Sequence, residues 1–197
     1  MLIACATLNR KKQVNQYLLA ILISCSITEI LVPLFNYYKY PSGVISSLGV
    51  IMHHGLWIVL LTKVLTFRKE VAYILLVFWT YGIVNLFFIE GIGKFNYSTF
   101  VFGAFIYLFL YTYGSFYQLR NENMKFFLSY NYMLLFAPVT LLFGLSFMFA
   151  FRSRNVTSTL LLPNLKLYDF VIYYVNIIYY VLVNLYIYRD KTARNIT

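Results

Sequence analysis

Six long apolar stretches, separated by short charged joints, occupy almost all of this 197-residue chain. That leaves no length for a water-soluble domain, so the bilayer is the solvent the fold has to satisfy. Inside hydrocarbon a backbone polar group finds no water, and only helices and closed barrels pair every N–H and C=O. Barrel strands alternate polar and apolar residues at every second position. These stretches are too long and too uniformly apolar for that pattern. The sequence therefore predicts an all-α, polytopic transmembrane helical bundle, a single integral membrane domain. Composition agrees: 61% of residues are hydrophobic and 11% charged, against roughly a quarter charged in soluble domains.

The predicted spans cover residues 17–38, 44–67, 71–88, 99–116, 128–149 and 167–188, each near the ~20 residues that cross a hydrocarbon core. Short joints make successive helices antiparallel neighbours. Residues 1–8 form an apolar stub, too short to span, that ends at Arg10-Lys11-Lys12 as the tail of a further helix would. The formal charge of +10 belongs to topology and to anionic lipid, not to nucleic acid, because no soluble basic face exists to carry it. Arg10, Lys11, Lys12, Arg68, Lys69, Arg120, Lys125, Arg189, Lys191 and Arg194 fall on one side. Lys39, Lys94, Arg152, Arg154 and Lys166 fall on the other. The positive-inside rule makes the first side cytoplasmic, with both termini there. The richness in Phe, Tyr, Ile, Asn and Lys fits AT-rich coding DNA and a bacterial cytoplasmic membrane.

Ionisable residues inside spans are rare and costly, so each is a candidate for function. Glu29 lies well inside the first span, one turn before Pro33, whose missing N–H frees the Glu29 carbonyl. His53 and His54 lie in the antiparallel second span at a depth that counting makes close to that of Glu29. Adjacent helical residues point about 100° apart, so one histidine faces the interior. A Glu29–histidine pair would relay protons or bind a polar ligand; equally, it would serve as a structural clasp. Trp57, one turn from His53, would wall a pocket or fill the core. Ser42, Gly43, Ser46, Ser47, Gly49 and Gly55 read as close helix packing.

Asn85, Glu90 and Asp169, with Arg152, Arg154 and Lys166, would line a polar vestibule at the non-cytoplasmic side, or else sit as solvated interfacial charges. Asn176 and Asn184 share a face of the last span and are expected to bond to other helices, with Thr80 and Thr140 as further partners. Pro138 is expected to kink the fifth span. Asn96-Tyr-Ser and Asn155-Val-Thr match the N-glycosylation pattern, which is short enough to arise by chance. Cys5 and Cys25 make no disulfide framework. There is no CxxC, HExxH, GxSxG or glycine-rich phosphate loop, and nothing points to a metal or a cofactor. No internal repeat of the inverted-transporter kind is visible.

Ser26-Ile-Thr-Glu29, Phe87-Phe-Ile-Glu90-Gly-Ile-Gly-Lys94-Phe-Asn96, Tyr117-Gln-Leu119 and the tyrosine-rich last span together cover most of the chain. In their order the sequence resembles small bacterial multi-pass membrane proteins with six or seven helices and no assigned activity. The resemblance implies one more N-terminal helix in relatives and assigns no catalytic residue. Three functions fit these observations. The first is a non-enzymatic sensory or accessory subunit acting through a membrane or cytoplasmic signalling partner. The second is a transporter or channel for a small molecule or ion, using the Glu/His site. The third is an intramembrane enzyme, which lacks any paired nucleophile or metal triad.

Overall fold

Among the described residues, six helices are long and apolar enough to cross a membrane, and they make the protein an all-α polytopic membrane protein. The computed structural model describes residues 7–65, 70–151, 158–162 and 165–196. Helix α1 runs Gln13–Tyr37, α2 Gly43–Leu65 and α3 Glu70–Val84, the last continuing into a π-helical turn, Asn85–Ile89. Helix α4 spans Tyr97–Arg120, the four-residue α5 Met124–Phe127 and α6 Tyr130–Ala150. A two-stranded antiparallel hairpin, β1 (Leu160–Leu162) with β2 (Leu165–Lys166), precedes α7, Leu167–Ile196. Each predicted span falls on one of the six long helices, with ends that shift by a few residues, as fraying termini commonly do. The exception is the last helix, which runs well past residue 188. Most of the apolar stub, residues 1–6, lies outside the described residues, as do Arg68, Lys69, Arg152, Arg154 and Asn155.

Two compact units divide within α4, residues 1–107 and 108–197. In the first, α1 packs along α2 and α2 along α3. Glycines set the spacing. A Cβ on Gly49 would lie 2.6 Å from Thr28 Oγ1 of α1, and one on Gly55 would lie 2.6 Å from Trp79 Nε1 of α3. These contacts show α2 held between two neighbours by residues with no side chain to intrude, the packing device common in membrane helices. The core of this unit is Leu18, Ile21, Trp57, Ile58, Phe78 and Tyr107, all fully buried.

In the second unit, α6 and α7 make the most extensive contact, with Gly144 so close to α7 that a Cβ would meet Val175 Cγ1 at 2.5 Å. Ser129 caps α6 by accepting from the Tyr132 N–H at 3.2 Å, which satisfies one of the helix's orphan donors. Pro33 and Pro138 both lie inside continuous helices, α1 and α6. Left-handed backbone occurs at Lys39 (φ 60°), Glu122 (φ 54°) and Gly91 (φ 84°), all in turns that end helices. That is the region where a chain reverses after a helix.

Candidate functional site

The π-helical turn is where the backbone departs from regular geometry inside a span. The Glu90 N–H bonds the Asn85 carbonyl at 2.9 Å, five residues back, so one extra residue is wound into the turn. Such bulges re-aim side chains and recur at functional sites. Here the bulge aims Asn85 into the contact between α3 and α4, where it is 0% exposed. Its Nδ2 faces Glu90 Oε2 at 3.1 Å, Thr99 Oγ1 at 3.1 Å and Asn96 Oδ1. Asn96, also 0% exposed, donates from Nδ2 to the Gly82 carbonyl at 3.1 Å and accepts from Thr99 Oγ1 at 2.8 Å. Its N–H donates to Ser47 Oγ at 3.0 Å, and that hydroxyl donates to the Lys94 carbonyl at 3.3 Å. Glu90 closes the edge of the cluster, accepting from the Ser98 N–H at 3.2 Å and the Ser98 hydroxyl at 2.9 Å. Three helices and the loop before α4 are thus tied by one network, at a position where unsatisfied polar groups are costly.

His54 lies deeper in the same unit, 1% exposed. Its Nδ1 is 2.9 Å from the Val50 carbonyl. A carbonyl only accepts, so Nδ1 carries the proton and Nε2 is left as an acceptor. The ring stands edge-on to Phe100, with centroids 4.7 Å apart, and against Gly103, where a Cβ would lie 2.7 Å from His54 Cδ2. Among the described residues, neither His54 Nε2 nor Asn85 Oδ1 finds a hydrogen-bond partner. Both are buried acceptors that lack a donor. His53 is half-buried and accepts from Trp57 Nε1 at 3.1 Å. Trp57 itself is 0% exposed, edge-on to Tyr107. It fills the core and orients His53.

Glu29 departs from its expected position in depth and in burial. The Thr28–Gly49 contact sets the register of α1 against α2. In an antiparallel pair Glu29 is then level with about Leu48, and His53 with about Ser24, an axial offset of about 7 Å at 1.5 Å per residue. Counting from the span ends misses this because it ignores how far each helix slides along the other. Glu29 is also exposed, not buried in the interior. It nevertheless lies on the stripe Leu18–Leu22–Cys25–Glu29, at helical spacing. Along that stripe Leu18 and Leu22 are buried, Cys25 is half-buried and Glu29 is exposed. The inward face of α1 is covered at one end and open at the other.

The vestibule reading changes as well. Asn85 is sealed in the network and lines no solvated opening. Glu90 joins it there, while Asp169 is half-buried in the first turn of α7 in the second unit, where a carboxylate complements the helix dipole. Asn176 and Asn184 do not bond across helices in the way expected. Their Nδ2 atoms donate to the Ile172 and Tyr180 carbonyls, one turn back, at 2.8 Å each. Thr140 likewise bonds within its own helix, to Ala137, and Thr80 is exposed. In the glycosylation motif Asn96 itself is buried, Tyr97 is half-buried and Ser98 is exposed. Sequence reasoning missed Asn96, Thr99 and Ser47 as network members. The signal available was a polar residue just before a predicted span, facing a serine in a small-residue segment. Among the described residues, no group of three or more His, Cys, Asp or Glu converges to hold a metal ion. Comparisons with protein-family models, curated proteins and solved structures find no match to this chain.

Proposed function

We propose that the chain is a non-enzymatic multi-pass protein of a bacterial cytoplasmic membrane, with both termini in the cytoplasm, acting as a sensory or accessory subunit through a partner. One observation carries this reading: an ionisable side chain, Glu29, on an α1 face that runs from buried to exposed within the span. Ionisable residues within spans face protein or polar surroundings rather than lipid. A partner helix packed on that face would extend the covered part of the stripe. The neighbouring exposed residues Ile27 and Ile30 supply the apolar contact for such a helix.

The test is site-specific photo-crosslinking in native membranes, with the photoreactive residue at Ile30. A discrete protein adduct that disappears in Glu29→Leu and persists in Glu29→Gln supports the reading. Adducts to lipid alone, or a protein adduct indifferent to both changes, overturns it. A second reading, transport of protons or a small cation, draws on the two buried acceptors His54 Nε2 and Asn85 Oδ1. It predicts flux into proteoliposomes that is lost in His54→Phe.

A further inference from the structure

The second unit holds a groove whose lining follows a chemical order. Tyr111, Ser115, Phe116 and Leu119 of α4 form one wall, and Phe127 of α5 and Tyr132 of α6 another, around about 350 Å³. That volume falls within the roughly 300–1,000 Å³ of small-molecule sites. Its deep end is aromatic, with Tyr111 and Tyr132 stacked at 5.6 Å and Phe127 edge-on to Tyr132 at 4.9 Å. About one turn shallower, the Ser115 hydroxyl is buried beside Tyr111. Phe116 and Leu119, 66% and 51% exposed, leave the groove open along its side. At the shallow end the exposed Arg120 and Lys125 flank the lining. Arg189 stands 5.6 Å from the Tyr130 ring at the start of α6. The acidic groups nearby are Glu122, exposed in the left-handed turn between α4 and α5, and Asp190, which is buried.

We propose that this groove is a binding site for one anionic phospholipid. Read from shallow to deep, the site offers cations, then a buried hydroxyl, then an aromatic and aliphatic slot. A phospholipid presents phosphate, ester carbonyl and acyl chain in the same order. Ser115 Oγ donates to the ester oxygen, Arg120 and Lys125 hold the phosphate, and Tyr111, Phe116 and Tyr132 pack one acyl chain. Arg120 suits this role because its planar fork can pair two phosphate oxygens. Cations next to an apolar slot favour a lipid over a soluble phosphate, which has nothing to place in the slot. They favour an anionic lipid over a zwitterionic one, because each cation near the surface strengthens anionic-lipid attraction about fivefold.

The experiment is native mass spectrometry of the intact protein released from nanodiscs containing equal phosphatidylglycerol and phosphatidylcholine with identical chains. Retained phosphatidylglycerol should exceed phosphatidylcholine by about 25-fold, the product of two such factors. The double variant Arg120→Gln/Lys125→Gln should lose that preference while keeping helix content, since both side chains are exposed. Leu119→Trp, which fills the slot, should reduce retention of both lipids. Lys39→Gln, in the first unit, should change nothing. Equal retention of the two lipids by the unaltered protein overturns the proposal. So does a preference that survives the double variant, or one that falls as far in Lys39→Gln.

Discussion

Replacing Asn96 by Ala removes one side chain from the network at the π-helical turn and leaves its backbone in place. Three hydrogen bonds go: the one to the Gly82 carbonyl at 3.1 Å, the one from Thr99 Oγ1 at 2.8 Å, and the one from Asn85 Nδ2. The bond from the Asn96 N–H to Ser47 Oγ survives. In membranes a side-chain hydrogen bond between helices contributes about 0.6 kcal/mol, rising to about 1.7 at most. A buried donor stripped of its acceptor costs about 1–3 kcal/mol. Asn85 Nδ2 keeps Glu90 and Thr99 as acceptors, so it is not orphaned. The loss should therefore total about 2–3 kcal/mol. Asn85→Ala removes the shared bond from the other side, and the double variant should fall short of additivity by about 1 kcal/mol. Asn184→Ala is the control: that side chain is exposed and bonds within its own helix, so the change should stay within about 0.5 kcal/mol. Steric-trapping unfolding in bicelles measures all four variants. An Asn96→Ala loss no larger than that of Asn184→Ala, or strict additivity with Asn85→Ala, would refute the network as a load shared between helices.

Gly103→Ala should destabilise by about 1–3 kcal/mol through overpacking, because the new Cβ would lie 2.7 Å from both His54 and Phe78. Gly93→Ala, with nothing within 4 Å, should be nearly neutral in the same unfolding assay. Single cysteines replacing Lys94, Arg120 and Lys191 report topology in whole cells. An impermeant thiol reagent should modify only the first, and labelling at position 120 or 191 would reverse the orientation.

The spans were legible because the bilayer imposes a length and a polarity on every one of them, and residues 13–37 or 130–150 have no other solvent to satisfy. Partnering was less legible, for reasons that differ residue by residue. Asn85 and Asn176 look alike in sequence, a single asparagine inside an apolar helix. The first is aimed at α4 by a π-helical insertion that no periodicity announces, and the second finds a carbonyl on its own helix. Glu29 and the histidines match in depth when counted from span ends. The close approach at Gly49, visible only when Thr28 is seen against it, slides the two helices out of that alignment. Ser47 and Asn96 are 49 positions apart, a separation across which sequence pattern carries no pairing information.

Helix α7 has 30 residues, or about 45 Å at 1.5 Å each, while the hydrocarbon core is about 30 Å thick. Its surplus falls at the end carrying Arg189, Asp190 and Lys191. Tyr186, Ile187 and Asp190 on that stretch are buried, so the extension is held by packing as well as by its own backbone hydrogen bonds. Tilting the whole helix about its middle by about 10°, well inside the range of tilts that spanning helices adopt, would swing its end by about 4 Å. A packed extension of that kind moves with the helix, so any tilt of the span is carried through to its charged end.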